Sequence, residues 1–272
     1  MAVPLEPCDH FGKTPPCTQA ILAAGIKRVV IGMLDPHAIV SGKGVRRLRR
    51  AGVRIDVLDD PGVRKFYAPY RTYHEQKRCH VTLKLAVSTD GKIFGGAGRW
   101  ITGPAARAEV QRIRHKVDAI LIGRRTAEID DPRLTIRPAF AAGRKRMPVR
   151  VILSASGKVP RGLRVFRDRR APTWIIKEKN IRKLVRDLAR RGIVHLLVEG
   201  GAMTARSFLK SGVVDEVQLF VAPKVLGEKA LDAFGHENAR AARKSARISK
   251  LWRLTGMKKF GADVLLSFKS KK

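Results

Sequence analysis

Short runs of branched apolar residues, each followed by a helical stretch, set the tightest limit on how this chain can fold. Arg28–Met33 (RVVIGM), Asp118–Gly123 (DAILIG), Val149–Leu153 (VRVIL), Pro172–Ile176 (PTWII) and His195–Val198 (HLLV) are such runs. Bounded by glycine or polar turns, they read as strands buried on both faces. Helical patterns lie between them. Thr102-Gly103-Pro104 opens a helix with proline in its first turn, and Val110, Ile113 and Val117 form its inward stripe. Ile181, Leu184, Val185 and Leu188 mark another, and Met203–Leu209 a third. Parallel strands need crossovers of this kind. Two late runs, Asp215–Ala222 and Ala262–Phe268, have no helix of ordinary length after them. The pattern therefore predicts an α/β fold on a mainly parallel sheet, closed by antiparallel strands.

The first 60 or so residues form a smaller α/β piece. Thr18–Gly25 and Gly44–Ala51 read as helices stopped at glycine, and Val53–Leu58 as a half-exposed strand. Asp59–Arg78 is polar, with two prolines and three tyrosines. The expected organisation is thus a segment over 1–60, a linker over 61–78 and a main domain over 79–272.

Composition narrows the function classes. Apolar residues make up 44% of the 272, enough to bury a core, and no run approaches the ~18–20 apolar residues that span a bilayer. The N-terminus lacks a signal-peptide pattern, and three cysteines (Cys8, Cys17, Cys79) argue for a reducing, cytoplasmic setting. Lys and Arg number 57 against 23 acids, a net charge of +34. The excess runs through every third of the chain and is densest over Asn238–Lys272. It draws phosphates and leaves nucleic-acid contact open, although 6% aromatics is too sparse for a stacking platform.

Several segments carry chemistry. Glu199-Gly200-Gly201-Ala202-Met203-Thr204 joins a buried strand to a helix. It is either an ordinary tight turn or a phosphate cradle of first-turn amides, with the Thr204 and Ser207 hydroxyls in reach. Thr126–Leu134 (TAEIDDPRL) sits just past a buried strand, where ligands bind in α/β sheets, and Arg124, Arg125, Arg133 and Arg137 surround it. Any one of these arginines could equally be a solvated surface residue. Val81, Leu83, Leu85 and Val87 alternate with Thr82, Lys84, Ala86 and Ser88. Lys84 then marks either an exposed edge strand or a cleft, because a lysine on a central strand is costly without a partner. Cys8 and Cys17 alone are one ligand short of a catalytic zinc site.

Together these segments resemble the bifunctional riboflavin-biosynthesis deaminase/reductase family, from about Leu5 to the C-terminus. Leu5-Glu6-Pro7-Cys8 through Thr14-Pro15-Pro16-Cys17 resembles the second half of the deaminase zinc motif, and Leu34-Asp35-Pro36 with Ser41-Gly42-Lys43-Gly44 its next loop. Val81-Thr82-Leu83-Lys84 with Asp90-Gly91, Trp100-Ile101-Thr102-Gly103-Pro104, Asp130-Asp131-Pro132-Arg133-Leu134 and Val198-Glu199-Gly200-Gly201 resemble the reductase landmarks, in order.

The resemblance implies a dihydrofolate-reductase-like domain with an incomplete cytidine-deaminase-like α/β segment ahead of it. The family's upstream His-Ala-Glu element, which supplies the third zinc ligand and the proton shuttle, is not in this sequence, so neither zinc nor deamination is expected of the chain as written. The implied activity is NADPH-dependent reduction of the ribosyl group of 5-amino-6-(5-phosphoribosylamino)uracil to ribityl. Carried over by position, Lys84, Asp130 and Glu199 are the implied catalytic groups, with Lys84 the proton donor. Thr102, Arg114, Leu134 and Arg137 would bind substrate, the two arginines clamping its phosphate. Ala86, Trp100, Thr126, Asp130, Gly201, Ala202, Met203, Thr204, Ala205, Arg206 and Ser207 would meet NADPH. Arg124-Arg125 stands where the family has smaller residues, and this pair is expected to meet the NADPH 2′-phosphate. A homo-oligomer is implied. The Gly95-Gly96-Ala97-Gly98 segment departs from the family pattern. The competing reading is a basic nucleic-acid-binding protein on an inactive reductase scaffold.

Overall fold

The computed structural model describes residues 1–94, 100–144, 146–233 and 252–271. The glycine-rich segment 95–98 and residues 238–251 of the basic stretch 238–272 lie outside the described residues. The chain divides into two compact units, Met1–Arg78 and Cys79–Lys272. No helix among the described residues is long and apolar enough to cross a membrane.

In the first unit, β1 (Ala2–Leu5), β2 (Arg28–Met33) and β3 (Arg54–Val57) form a parallel sheet in the order β1-β2-β3. The helices α1 (Cys17–Ala23) and α2 (Lys43–Arg50) supply Ile21, Val45 and Leu48 to a core with Val29, Ile31, Val53 and Ile55. Buried Glu6 accepts backbone N–H bonds from Gly42 (2.8 Å), Val45 (3.1 Å) and Asp35 (3.3 Å), tying the loop before α2 to the end of β1.

The stretch 61–78, expected to be a linker, folds as α3 (Pro61–Phe66) and α4 (Ala68–Gln76). Asp60 caps α3 by accepting from Val63 N at 2.8 Å, with Pro61 in the first turn. The Tyr70 ring meets His74 at 4.3 Å, and its hydroxyl donates to Asp35. The tyrosines that made this stretch look like a polar loop are its packing face.

In the second unit, the order of the main sheet is β12-β13-β10-β4-β9-β6-β7-β8. The strands are β4 (His80–Ser88), β6 (Ala119–Gly123), β7 (Val149–Leu153), β8 (Thr173–Ile176), β9 (His195–Val198), β10 (Glu216–Ala222), β12 (Trp252–Phe260) and β13 (Asp263–Ser270). From β10 through β8 every pairing is parallel, and β13 and β12 add antiparallel strands. The short strands β5 (Lys92–Phe94) and β11 (Leu231–Asp232) pair separately. The crossovers are α5 (Pro104–His115), α6 (Arg124–Asp130), α7 (Arg164–Arg167), α8 (Ile181–Arg190) and α9 (Ala202–Ser211). One core face gathers Leu83, Leu121, Val151, Leu184, Leu188 and Phe208; the other gathers Ile120, Ile122, Ile152, Val165 and Leu197.

Candidate active site

β4 is an interior strand, hydrogen-bonded to β10 on one side and β9 on the other. Lys84 therefore stands in the sheet interior and not on an edge. The register pairs Leu83 with Val198, which sets Lys84 beside Glu199 at the C-terminal end of β9. Lys84 Nζ lies 3.6 Å from Glu199 Oε2. Arg114, in the last turn of α5, donates to both oxygens of the same carboxylate, Nε to Oε1 at 2.6 Å and Nη2 to Oε2 at 3.1 Å. Its third donor, Nη1, holds the Thr135 carbonyl at 3.1 Å.

The Glu199 side chain is only 8% exposed. Burial alone would raise its pKa, but the Arg114 charge, the Lys84 charge and hydrogen bonds from both hold it down to about 2. Burial pulls the Arg114 guanidinium down, and Glu199 more than offsets this, so it stays above its usual value. The result is a buried carboxylate kept ionised, with a lysine on one side and a guanidinium fork on the other.

Beside it, two helix N-termini cross. α6 follows Gly123 and α9 follows Gly201, and no side chain caps either first turn. The approach needs glycine: a Cβ on Gly123 would sit 2.6 Å from Thr204 Oγ1, and one on Gly200 would sit 2.5 Å from Thr204 Cβ. Gly201 N donates to Thr126 Oγ1 at 3.2 Å. First-turn amides without a capping side chain, at the C-terminal edge of a parallel sheet, make a binding place for an anion.

The other expected site residues are distributed around this centre. Ala86 shares the strand face of Lys84, two residues on. Asp130 is exposed one turn beyond Thr126 on the same face of α6, outside the Lys84–Glu199–Arg114 ion pairs. Thr102 is buried, and its carbonyl accepts from Arg107. Exposed Trp100 lies under the Arg107 guanidinium at 5.0 Å. Leu134 is buried with a left-handed φ of 48°, and Arg137 is exposed with its amide held by Gln111. Arg114 and Arg137 do not form the expected open pair, because the Arg114 fork is taken by Glu199. On α9, Met203 is exposed, Ala202 and Ala205 are buried, and Arg206 is half-buried. Ala205 N donates to Gly201 O, and Ser207 Oγ to Met203 O. A cleft of about 480 Å³ flanks α6, lined by Arg124, Glu128, Lys158 and Arg161 among others. Arg125 is not part of its lining.

Two supports escaped the sequence reading. Arg150, 1% exposed, donates from Nη1 to Arg133 O at 3.2 Å and pairs with Asp168 at 2.6 Å. With Arg114 on Thr135 O, it holds the strained Leu134 from both sides. An arginine inside the apolar run VRVIL was the available signal. Buried Asp263 accepts from Gly103 N at 2.7 Å and fixes the loop after Thr102.

In the first unit, Cys17 N donates to Cys8 Sγ at 3.4 Å. The Cys17 thiol is shifted up, first by its hydrogen bond with Cys8 and then by burial. Among the described residues no group of three or more His, Cys, Asp or Glu side chains is arranged to hold a metal. The two thiols do not fit a catalytic zinc by themselves.

Residues 79–266 match the family described as the RibD C-terminal domain. The riboflavin biosynthesis protein RibD of Aquifex aeolicus is 37% identical over 98% of this chain and 79% of its own length. That of Mycobacterium tuberculosis is 36% identical over 98% and 77%. A Thermotoga maritima structure, a diaminohydroxyphosphoribosylaminopyrimidine deaminase/5-amino-6-(5-phosphoribosylamino)uracil reductase, superposes with a TM-score of 0.85 at 32% identity over 99% of this chain and 78% of that one. The Saccharomyces cerevisiae reductase Rib7, at 21% identity and a TM-score of 0.54 over 76% of this chain and 99% of its own, shares the fold. With an α/β, dihydrofolate-reductase-like sheet and a family match over most of its length, the chain belongs to the RibD family of riboflavin biosynthesis proteins.

Proposed function

We propose that the Cys79–Lys272 unit is a riboflavin-biosynthesis reductase that converts the ribosyl group of 5-amino-6-(5-phosphoribosylamino)uracil to ribityl with NADPH. The observation that carries this reading is the Lys84–Glu199–Arg114 constellation next to the uncapped N-termini of α6 and α9. The crossing fits a dinucleotide: Gly123, Gly200 and Gly201 let the two helix starts approach closely, their first turns carry no capping side chain, and Thr126 and Thr204 flank them. Further along, Arg124, Lys158 and Arg161 line a cleft suited to a 2′-phosphate.

The reduced nicotinamide would supply the hydride. The chain's own residues do the rest. As C1′ of the sugar is reduced and its bond to the ring oxygen opens, that oxygen needs a proton, and Lys84 donates it. Glu199 stays ionised and holds the Lys84 ammonium in place, while Arg114 prevents the carboxylate from taking the proton itself. Since the Arg114 fork is engaged, the substrate phosphate falls to Arg137, whose guanidinium is exposed. Arg114 and Arg150 position the Leu134 backbone beside it.

The test is a coupled readout of the purified chain: loss of NADPH absorbance together with appearance of the ribitylamino product. Oxidation that depends on the phosphorylated uracil is expected. Absence of turnover with folded protein that still binds NADPH would overturn the substrate assignment.

A further inference from the structure

A second cleft in the Cys79–Lys272 unit, of about 450 Å³, is lined by Arg133, Arg164, Arg167, Arg170 and Asp168. It lies toward the opposite end of the sheet from the glycine crossing. Arg150 is the second residue of β7, and Arg167–Ala171 lead into the first residue of β8, whereas Gly200 and Gly201 follow the last residue of β9. Nothing in the reductase chemistry uses these arginines.

Their charges are only partly answered. Arg164 Nε faces Asp131 Oδ2 at 3.3 Å, and Asp131 Oδ1 accepts from Arg164 N at 2.8 Å. Asp168 Oδ1 is committed to Arg150, and its Oδ2 is buried away from solvent. Among the described residues the guanidiniums of Arg133, Arg167 and Arg170 have no carboxylate within ion-pair distance, and all three residues are exposed. Like charges converging on one concavity repel unless an anion joins them. The volume falls in the range of small-ligand pockets, and the lining holds no aromatic ring on which a base could stack. Guanidinium forks match phosphoryl oxygens two at a time.

We propose that this cleft is a second anion site, taking a small ligand that carries two adjacent phosphoryl groups. Arg133 links it to the reductase centre. The Arg133 carbonyl is held by Arg150, and two residues on, the Thr135 carbonyl is held by Arg114. An occupant therefore bears on the loop that sets Leu134.

Inorganic pyrophosphate is the probe, titrated calorimetrically into the full chain saturated with NADPH. Binding of about one equivalent is expected. Arg167→Ala/Arg170→Ala should weaken it about tenfold or more, with NADPH turnover retained. Arg167→Lys/Arg170→Lys keeps the charge and loses the forks, and should fall between the two. Equal affinity in wild type and the alanine variant would overturn the site, and so would loss of binding in the presence of NADPH. A mixed-sequence oligonucleotide that binds more tightly than pyrophosphate, and loses affinity in the same variants, would overturn the small-ligand assignment. If the alanine variant does not fold, the lysine variant decides: affinity equal to wild type sinks the proposal.

Discussion

At the level of single residues the proposed mechanism separates two tasks, holding charge and moving a proton. Glu199 and Arg114 form a buried bidentate pair and hold charge; neither is free to exchange a proton near neutrality. Lys84, at 3.6 Å from the carboxylate, is the proton donor in the proposed mechanism. Lys84→Met should lower kcat by roughly 10²–10⁴-fold with NADPH affinity nearly unchanged, measured by stopped-flow oxidation and by fluorescence titration. A variant with wild-type kcat would remove Lys84 from the proton step. Arg124 has a different part in the proposed function. It lines the cleft with Lys158 and Arg161, so Arg124→Ala should reduce the ratio of kcat/KM for NADPH over NADH by about tenfold, the size of one lost charge-assisted contact. An unchanged ratio would move the 2′-phosphate elsewhere. Lys84 was legible in sequence as a charged residue within an apolar run, and Glu199 through the resemblance carried by Val198-Glu199-Gly200-Gly201. Their pairing with Arg114 was not. Arg114 lies 85 residues from Glu199, and only the crossing of α5 over the sheet brings them together.

At the level of elements, the α6–α9 crossing depends on two side chains being absent. Gly123 ends β6 and Gly200 follows β9, and Thr204 fills the space both leave. Gly123→Ala would place a methyl 2.6 Å from Thr204 Oγ1, which overpacking data put at ~1–3 kcal/mol. The expected result is a lower Tm and weaker NADPH binding. Thr204→Ala in the same chain removes Oγ1 and should restore most of the loss of Tm. If the double variant is no better than Gly123→Ala alone, this contact does not set the crossing. The same elements show what a sequence makes visible. The runs at 119–123, 149–153 and 195–198 are interior strands, and their apolar composition states as much. β12 is different: it is an edge strand whose Arg253, Lys258 and Lys259 face solvent, so neither alternation nor an apolar run announces it. Such charges discourage pairing with another edge. α3 and α4 were hidden for a related reason, since apart from Thr72 their residues are only partly buried or exposed and they are held by a cap and by tilted and edge-to-face ring contacts.

For the whole molecule, the consequence of so basic a composition is sharpest in acid. A net charge of +34 already opposes compaction, and every carboxylate protonated on acidification adds to the repulsion. Two buried groups contribute to that loss. His195, on β9 at the opposite strand end from Glu199, has Nε2 2.8 Å from Thr82 Oγ1 and its ring 5.1 Å from that of His80. Burial, and then the His80 charge, push its pKa down from 6.5 to about 3. Between those values the unfolded chain binds the proton and the folded chain does not, so stability is present above pH 6.5 and falls as the pH is lowered, at up to ~1.4 kcal/mol per unit. Glu199 adds a second loss only below its ordinary 4.5, as the pH falls toward about 2. Urea unfolding followed from pH 7.5 to 4.5 should therefore show a midpoint that declines from near pH 6.5. His195→Gln, which keeps a hydrogen-bonding partner for Thr82 but does not titrate, should flatten that decline and leave the steeper loss below pH 4.5 intact. The same slope in wild type and variant would mean that another group controls acid unfolding. A flattened slope would identify the buried imidazole as the first point at which this crowded positive charge gives way.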